Sequence, residues 1–204
     1  MVTGVQERSR TRRQRDLDAA LEVFTSHGYS DSAIDEIARA SDTSKGGLYF
    51  HFPSKQALFL ALLDEASGAL LTRVEAAMAT EPDPLARGDA ALREVLHAFG
   101  GHRLLARLLL VDAVGAGKEF AAKLDELHSA FAALIARCLD EAVAEGSIPP
   151  QDTRIAAQAW YGAVNHVVLR WLMTGQPRRL EDTYPALRRL LLHGVAGASW
   201  EQDQ

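Results

Sequence analysis

At 204 residues, with 48% hydrophobic and 24% charged residues, the chain has ordinary globular composition, and disorder is excluded. Its net charge of −5 disfavours a nucleic-acid partner until the distribution is examined: residues 1–55 are neutral, with eight basic and eight acidic groups, leaving 14 of the 22 basic and 19 of the 27 acidic residues in an acidic remainder. The single cysteine, Cys138, excludes an intrachain disulfide and reads as a buried, inert thiol suited to a reducing cytosol.

In chain order, a basic arm comes first: Arg8, Arg10, Arg12, Arg13 and Arg15 cluster with only Glu7 and Asp16 nearby. No apolar stretch follows them, so the arm does not read as a secretion signal. Such an arm on a neutral module can engage a polyanion locally. Leu17, Ala20, Leu21 and Phe24 follow helical spacing, and Gly28 is expected to end that first helix. A second short helix buries Ile34, Ile37 and Ala38. Asp42-Thr43-Ser44 supplies a turn and a cap for a third, from about Ser44 to Phe50. Pro53-Ser54 then opens a long fourth helix.

The third element, in "TSKGGLYFHFPSK", has a poor helical composition. Gly46 and Gly47 each cost about 1 kcal/mol relative to alanine. Three short helices with a tight turn between the second and third form a helix-turn-helix pattern, whose last element lies in the DNA major groove. That role accounts for the composition. The glycines let backbone approach DNA, and Thr43, Ser44 and Lys45 supply donors. Leu48 and Phe52 should face inward. Tyr49 and His51 should reach outward, and Phe50 is open between base contact and packing. Lys55 sits in the first turn of helix four, against the helix dipole, which a bound phosphate would relieve.

Beyond residue 55 the apolar spacing stays helical, without strand alternation. "TEPDPLARGD" (80–89) reads as a boundary and "EGSIPPQD" (145–152) as a break, with helices over roughly 84–99, 102–114, 117–145, 152–174 and 182–197. The fold expected is all-α with about nine helices. The longest apolar-leaning run, Ile155 to Leu169, is too short and polar to span a bilayer, so a cytoplasmic protein with no membrane partner is expected. No phosphate-binding glycine loop, nucleophile elbow or His-Glu-x-x-His run appears, so neither catalytic residues nor a cofactor are expected. His128 and His166 lack ligand spacing, which argues against a metal.

"GYSDSAIDEIARASDTSKGGLYFHFPSKQALF", residues 28–59, resembles the DNA-binding signature of the tetracycline-repressor (TetR) family of bacterial transcription regulators. Ser32 and Ala33 stand where that family usually has two threonines. Ser32 is therefore expected to cap helix two, with Asp35 three residues on as a weak capping box. Asp42 replaces a frequent glycine, and aspartate tolerates a left-handed turn. Thr43 stands where valine is common. The resemblance implies a DNA-binding domain over 1–55 and an effector-binding and dimerisation domain over 56–204. It implies a homodimer on a palindromic operator, DNA contacts from Arg12, Ser32, Thr43, Ser44, Lys45, Gly46, Gly47, Tyr49, Phe50, His51 and Lys55, and release by a small effector.

By the same resemblance, the last two helices would form an intersubunit bundle, although an ordinary intrachain core would produce the same stripes. Trp160, Val164, Val168 and Trp171 would supply one stripe, and Leu187, Leu190, Leu191 and Val195 the other. The effector would meet Phe120, His128, Phe131, Tyr161, Asn165, His166 and Met173, with Arg103 or Arg107 at an entrance. The layout of "RLLLVDAVG", "LDEAVAEGSIPP" and "WYGAVNHVVLRWLMTG" is similar to regulators of fatty-acid degradation, implying an acyl-CoA or fatty-acid ligand. An all-helical enzyme or ligand carrier without DNA binding is the alternative, and an architectural DNA binder without effector is another.

Overall fold

In the computed structural model, residues 2–113 and 118–194 are described, with side chains for 11–113 and 120–194. Helix α1 (Val2–Asp31) carries Leu17, Ala20 and Phe24, each fully buried, at the expected spacing. Its regular winding breaks at Gly28 (φ 79°, ψ 164°), a conformation that only glycine adopts cheaply. Helices α2 (Ile34–Ala40) and α3 (Lys45–His51) are joined by a tight turn. There Asp42 takes φ 53° and the Thr43 amide donates to the Ala38 carbonyl at 2.9 Å. The left-handed turn expected of Asp42 is present.

Two caps read from sequence are in place. The Ser44 hydroxyl accepts from the Gly47 amide at 3.1 Å, and the Ser54 hydroxyl accepts from the Ala57 amide at 3.0 Å, opening α4 (Lys55–Met78). The third is a correction. Ala33 holds the N-cap position of α2 without any side-chain bond. Ser32 is buried and donates backwards, to the Gly28 and Val23 carbonyls. Its hydroxyl closes the α1–α2 turn, and Asp35 reaches Lys45 rather than forming a capping box.

The chain groups into two compact units. The first joins residues up to Gly68 with Leu104–Leu124, where sequence suggested a division after Lys55. The added segment holds the end of α6 (Arg103–Arg107), its wider-wound continuation Leu108–Asp112, and the start of α7 (Lys118–Ala144). The reason is aromatic. Phe120, fully buried, meets Tyr29 at 4.8 Å and Phe59 at 5.1 Å between ring centroids, and Phe59 meets Phe24 at 4.9 Å. These are the offset and edge-on contacts that ring quadrupoles favour.

The second unit comprises Ala69–Arg103 and the chain from Asp125 onward. The 80–89 stretch lies inside it as the turn into α5 (Pro84–Gly101), capped by Asp83, whose carboxylate accepts from the Ala86 amide at 2.8 Å. Helix α8 (Thr153–Thr174) begins at Asp152 and ends at Gly175 (φ 67°). A single tight turn (Leu180–Thr183) leads into α9 (Tyr184–Arg188), which continues more widely wound to His193. The Asp89 carboxylate on α5 accepts from the Tyr184 hydroxyl at 2.7 Å and from Arg93 at 2.8 Å and Arg188 at 3.0 Å. Among the described residues there are nine α-helices and no strand.

Candidate nucleic-acid interface

Helix α3 is held from beneath and bare above. Leu48 and Phe52 are buried, four residues apart on one face. Arg13 of α1 lies 5.2 Å over the Phe52 ring and donates to Glu65 at 3.3 Å, bracing α3 between α1 and α4. On the other side Tyr49 is 41% and Phe50 84% exposed, and His51 is half-buried. Phe50, open on sequence grounds, therefore points to solvent. Ser44, Lys45 and Gly46 are also exposed, while Thr43 and Gly47 are half-buried.

The two glycines differ. A Cβ added at Gly47 would lie 2.9 Å from the Thr43 methyl and 3.2 Å from the Ser44 hydroxyl, so the cap itself favours glycine there. A Cβ at Gly46 would meet nothing within 4 Å. Among the described residues nothing calls for glycine at that position.

The cations are partly engaged. Lys45 pairs with Asp35 at 2.9 Å, which raises its pKa through the hydrogen bond and the opposite charge. Lys55 donates to the Ser32 carbonyl at 2.7 Å and the Ser30 carbonyl at 3.0 Å, and stands 4.7 Å over the Tyr29 ring. Burial lowers its pKa, and Asp31 opposes that. These carbonyls relieve the dipole conflict that a phosphate was expected to relieve. An ammonium has three donors, so one N–H remains. Arg12 is exposed on α1. Sequence reasoning missed Asp35 as a partner of Lys45; the signal was an acidic residue in the first turn of α2.

The expected effector residues are divided between the two units. Arg107 and Phe120 belong to the first unit, Phe120 as core. In the second, Tyr161 packs with His128 (5.4 Å) and, stacked, with Phe131 (6.4 Å). Burial pushes the Tyr161 phenol up to about 12, so it stays neutral. Asn165 is half-buried, and His166 and Met173 are exposed. Arg103 lies 4.5 Å over the Trp171 ring and donates to the Leu172 carbonyl at 2.7 Å. Asp112, absent from the sequence reading, is buried in the Leu108–Asp112 turns at 3.4 Å from Arg107.

The dimer assignments need correction. Trp160, Val168, Trp171, Leu187 and Leu191 are buried within the single chain, so they form intrachain core rather than a surface for a partner. Val164 is half-buried and Leu190 is 65% exposed; Val195 lies outside the described residues. The apolar surface of α8 lies on its other side, at Ile155, Ala159, Gly162 and Met173. Cys138 is buried, and burial raises its pKa.

Residues 17–62 match the family described as bacterial regulatory proteins, tetR family. Residues 81–195, over half of the chain, match the tetracyclin repressor-like C-terminal domain. The chain belongs to the TetR family. Like its relatives it is a DNA-binding transcriptional regulator and not an enzyme. The fatty acid metabolism regulator protein of Bacillus subtilis is 23% identical over 180 residues, covering 88% of this chain and 93% of that protein. The fold is similar to that of the fatty acid degradation regulator FadR from Bacillus halodurans, with a TM-score of 0.83 at 24% identity over 89% of this chain and 98% of that one. It is equally similar to FadR from Bacillus subtilis in complex with stearoyl-CoA, with a TM-score of 0.83 at 23% identity and the same coverage. Among the described residues no helix of this TetR-family chain is long and apolar enough to cross a membrane.

Proposed function

We propose that this TetR-family protein is a repressor that holds a palindromic operator as a homodimer and leaves it when a hydrophobic acyl effector binds. The observation that carries the DNA reading is the two-faced α3, anchored by Leu48 and Phe52 and bare at Gly46, Tyr49 and Phe50. Tyr49, Thr43, Ser44 and Arg12 then serve phosphates and base edges, residues 1–55 supplying every DNA contact of the first unit. Lys55 fixes the α1–α2 turn and offers its remaining N–H to a phosphate. The Ser32 side chain is turned inward, which leaves its main chain for any contact.

A second copy fits the outer side of α8, where Ile155, Ala159, Gly162 and Met173 leave apolar and small groups exposed, together with Leu190 of α9. Two-fold symmetry would set two copies of α3 on half-sites about one helical turn, ~34–36 Å, or a multiple apart. The effector reading rests on likeness to a regulator crystallised with stearoyl-CoA. The rings of His128, Phe131 and Tyr161 offer an apolar wall with a neutral phenol in the second unit. Linkage then requires DNA and effector to weaken each other equally.

The test is selection from random duplex DNA, followed by affinity measurements with stearoyl-CoA, stearate and free CoA. A palindromic motif is expected, released by the acyl compound and not by CoA alone. Affinity indifferent to every acyl compound would leave an architectural DNA binder. No enriched sequence at low salt would remove the DNA reading.

A further inference from the structure

Phe50 is the most exposed large apolar side chain among the described residues, at 84%. Gly46 stands four residues before it, and side chains so spaced share one helix face, with Cβ atoms about 5–6 Å apart. The ring of Phe50 and the bare backbone at Gly46 therefore border a shallow notch, with phenyl as its wall and main chain as its floor. The His51 ring packs edge-on against Phe50 at 5.3 Å and 73°, which restrains the wall. An alanine at position 46 would meet nothing within 4 Å among the described residues and would raise helix propensity, so no packing there explains the gap.

We propose that this notch receives the C5-methyl group of a thymine in the major groove, which makes Phe50 and Gly46 the pair that specifies that base. The inference rests on the DNA-binding reading and gives it a chemical content. Thymine is the one standard base with an apolar group on its major-groove edge. Guanine, adenine and cytosine would set N7, O6 or an amino group against a phenyl that neither donates nor accepts, leaving polar groups desolvated and unpaired. Lys45, the nearest charged rival on α3, is held by Asp35.

The experiment takes the motif selected by the full-length protein and replaces each thymine in turn by deoxyuridine, which removes only the methyl. One thymine per half-site should lose about fourfold in affinity, the factor for one buried methyl group. The same swap should cost nothing in Phe50→Ala. Gly46→Val fills the floor and should also abolish that position's sensitivity, with an unchanged melting temperature as evidence that it folds. The proposal is overturned if every thymine tolerates the swap, or if Phe50→Ala shows the same loss at the same base. It also fails if Phe50→Ala weakens all duplexes equally and selects the original motif. A motif indifferent to its methyls would sink this inference alone, whereas no motif at all would sink the DNA reading with it.

Discussion

Helices α3 and α8 both concentrate large rings, and the two treat them in opposite ways. In α8, Trp160 and Trp171 lie on the buried side of a regular stripe, although the sequence suggested that a partner would cover them. In α3, Tyr49 and Phe50 stand outward on a helix of poor propensity. A periodic apolar stripe shows that a face is covered without naming what covers it. A segment that breaks local rules, with two glycines and exposed rings, points instead to something outside the chain.

The sharpest break of that comparison is Trp171→Ala. If the α8 stripe is intrachain core, truncation should cost about 3–5 kcal/mol. That loss, measured by denaturant unfolding relative to the natural chain, should be the same at every protein concentration. A loss confined to dilute samples would return Trp171 to the subunit interface. Phe50→Ala, by contrast, should leave unfolding within about 0.5 kcal/mol of the natural chain, as for an exposed site.

Two polar side chains, one buried and one half-buried, extend the contrast within the first unit. Asp16 is fully buried on α1, and neither carboxylate oxygen has a hydrogen-bond partner among the described residues. Removing it should help: Asp16→Ala is expected to stabilise the chain by about 2 kcal/mol, the usual penalty for an unsatisfied buried polar group. A lower melting temperature would mean that the carboxylate is held after all. Lys55→Met should cost about 1–2 kcal/mol without any DNA present, because it frees the Ser30 and Ser32 carbonyls. Unchanged melting would leave Lys55 with a phosphate role only.

A smaller effect than those of Asp16 and Lys55 concerns Asp112. Burial raises its carboxyl above the ordinary value of 3.8, against the pull of Arg107. A raised value means the folded chain holds the proton more tightly than the unfolded one. The group's stabilising contribution is then complete below about 4 and lost as pH rises through the folded value. Asp112→Asn should accordingly gain about 1 kcal/mol at pH 7, and its advantage should shrink by pH 4. Unfolding midpoints at the two pH values decide this, and an equal gain at both would refute the titration.

What the sequence made legible was chiefly local. Ser44 and Ser54 as caps, Gly28 as a helix end and Asp42 in a left-handed turn each depend on a few neighbouring residues. Leu48 and Phe52 pointing inward followed from spacing alone. Three contacts depended on how one element folds back on another and were not legible. Ser32 turned back to α1, Lys55 found carbonyls 23 and 25 residues earlier, and Trp160 closed over α5, where a Cβ at Gly88 would lie 3.3 Å from its ring. Phe120 was read as part of an effector site because an apolar segment in the body does not say which core its rings enter.

That ring has a consequence for synthesis and for engineering. Phe120 completes the aromatic core around Tyr29 from a position 91 residues later in the chain. Such a non-local contact cannot form before the first turn of α7 has been synthesised, so the aromatic core of the first unit is incomplete until then. A fragment cut at residue 55 would expose the Phe24 and Tyr29 rings and lack both Phe59 and Phe120. A chimera that grafts the DNA-binding region onto another body must carry residues 104–124 with it.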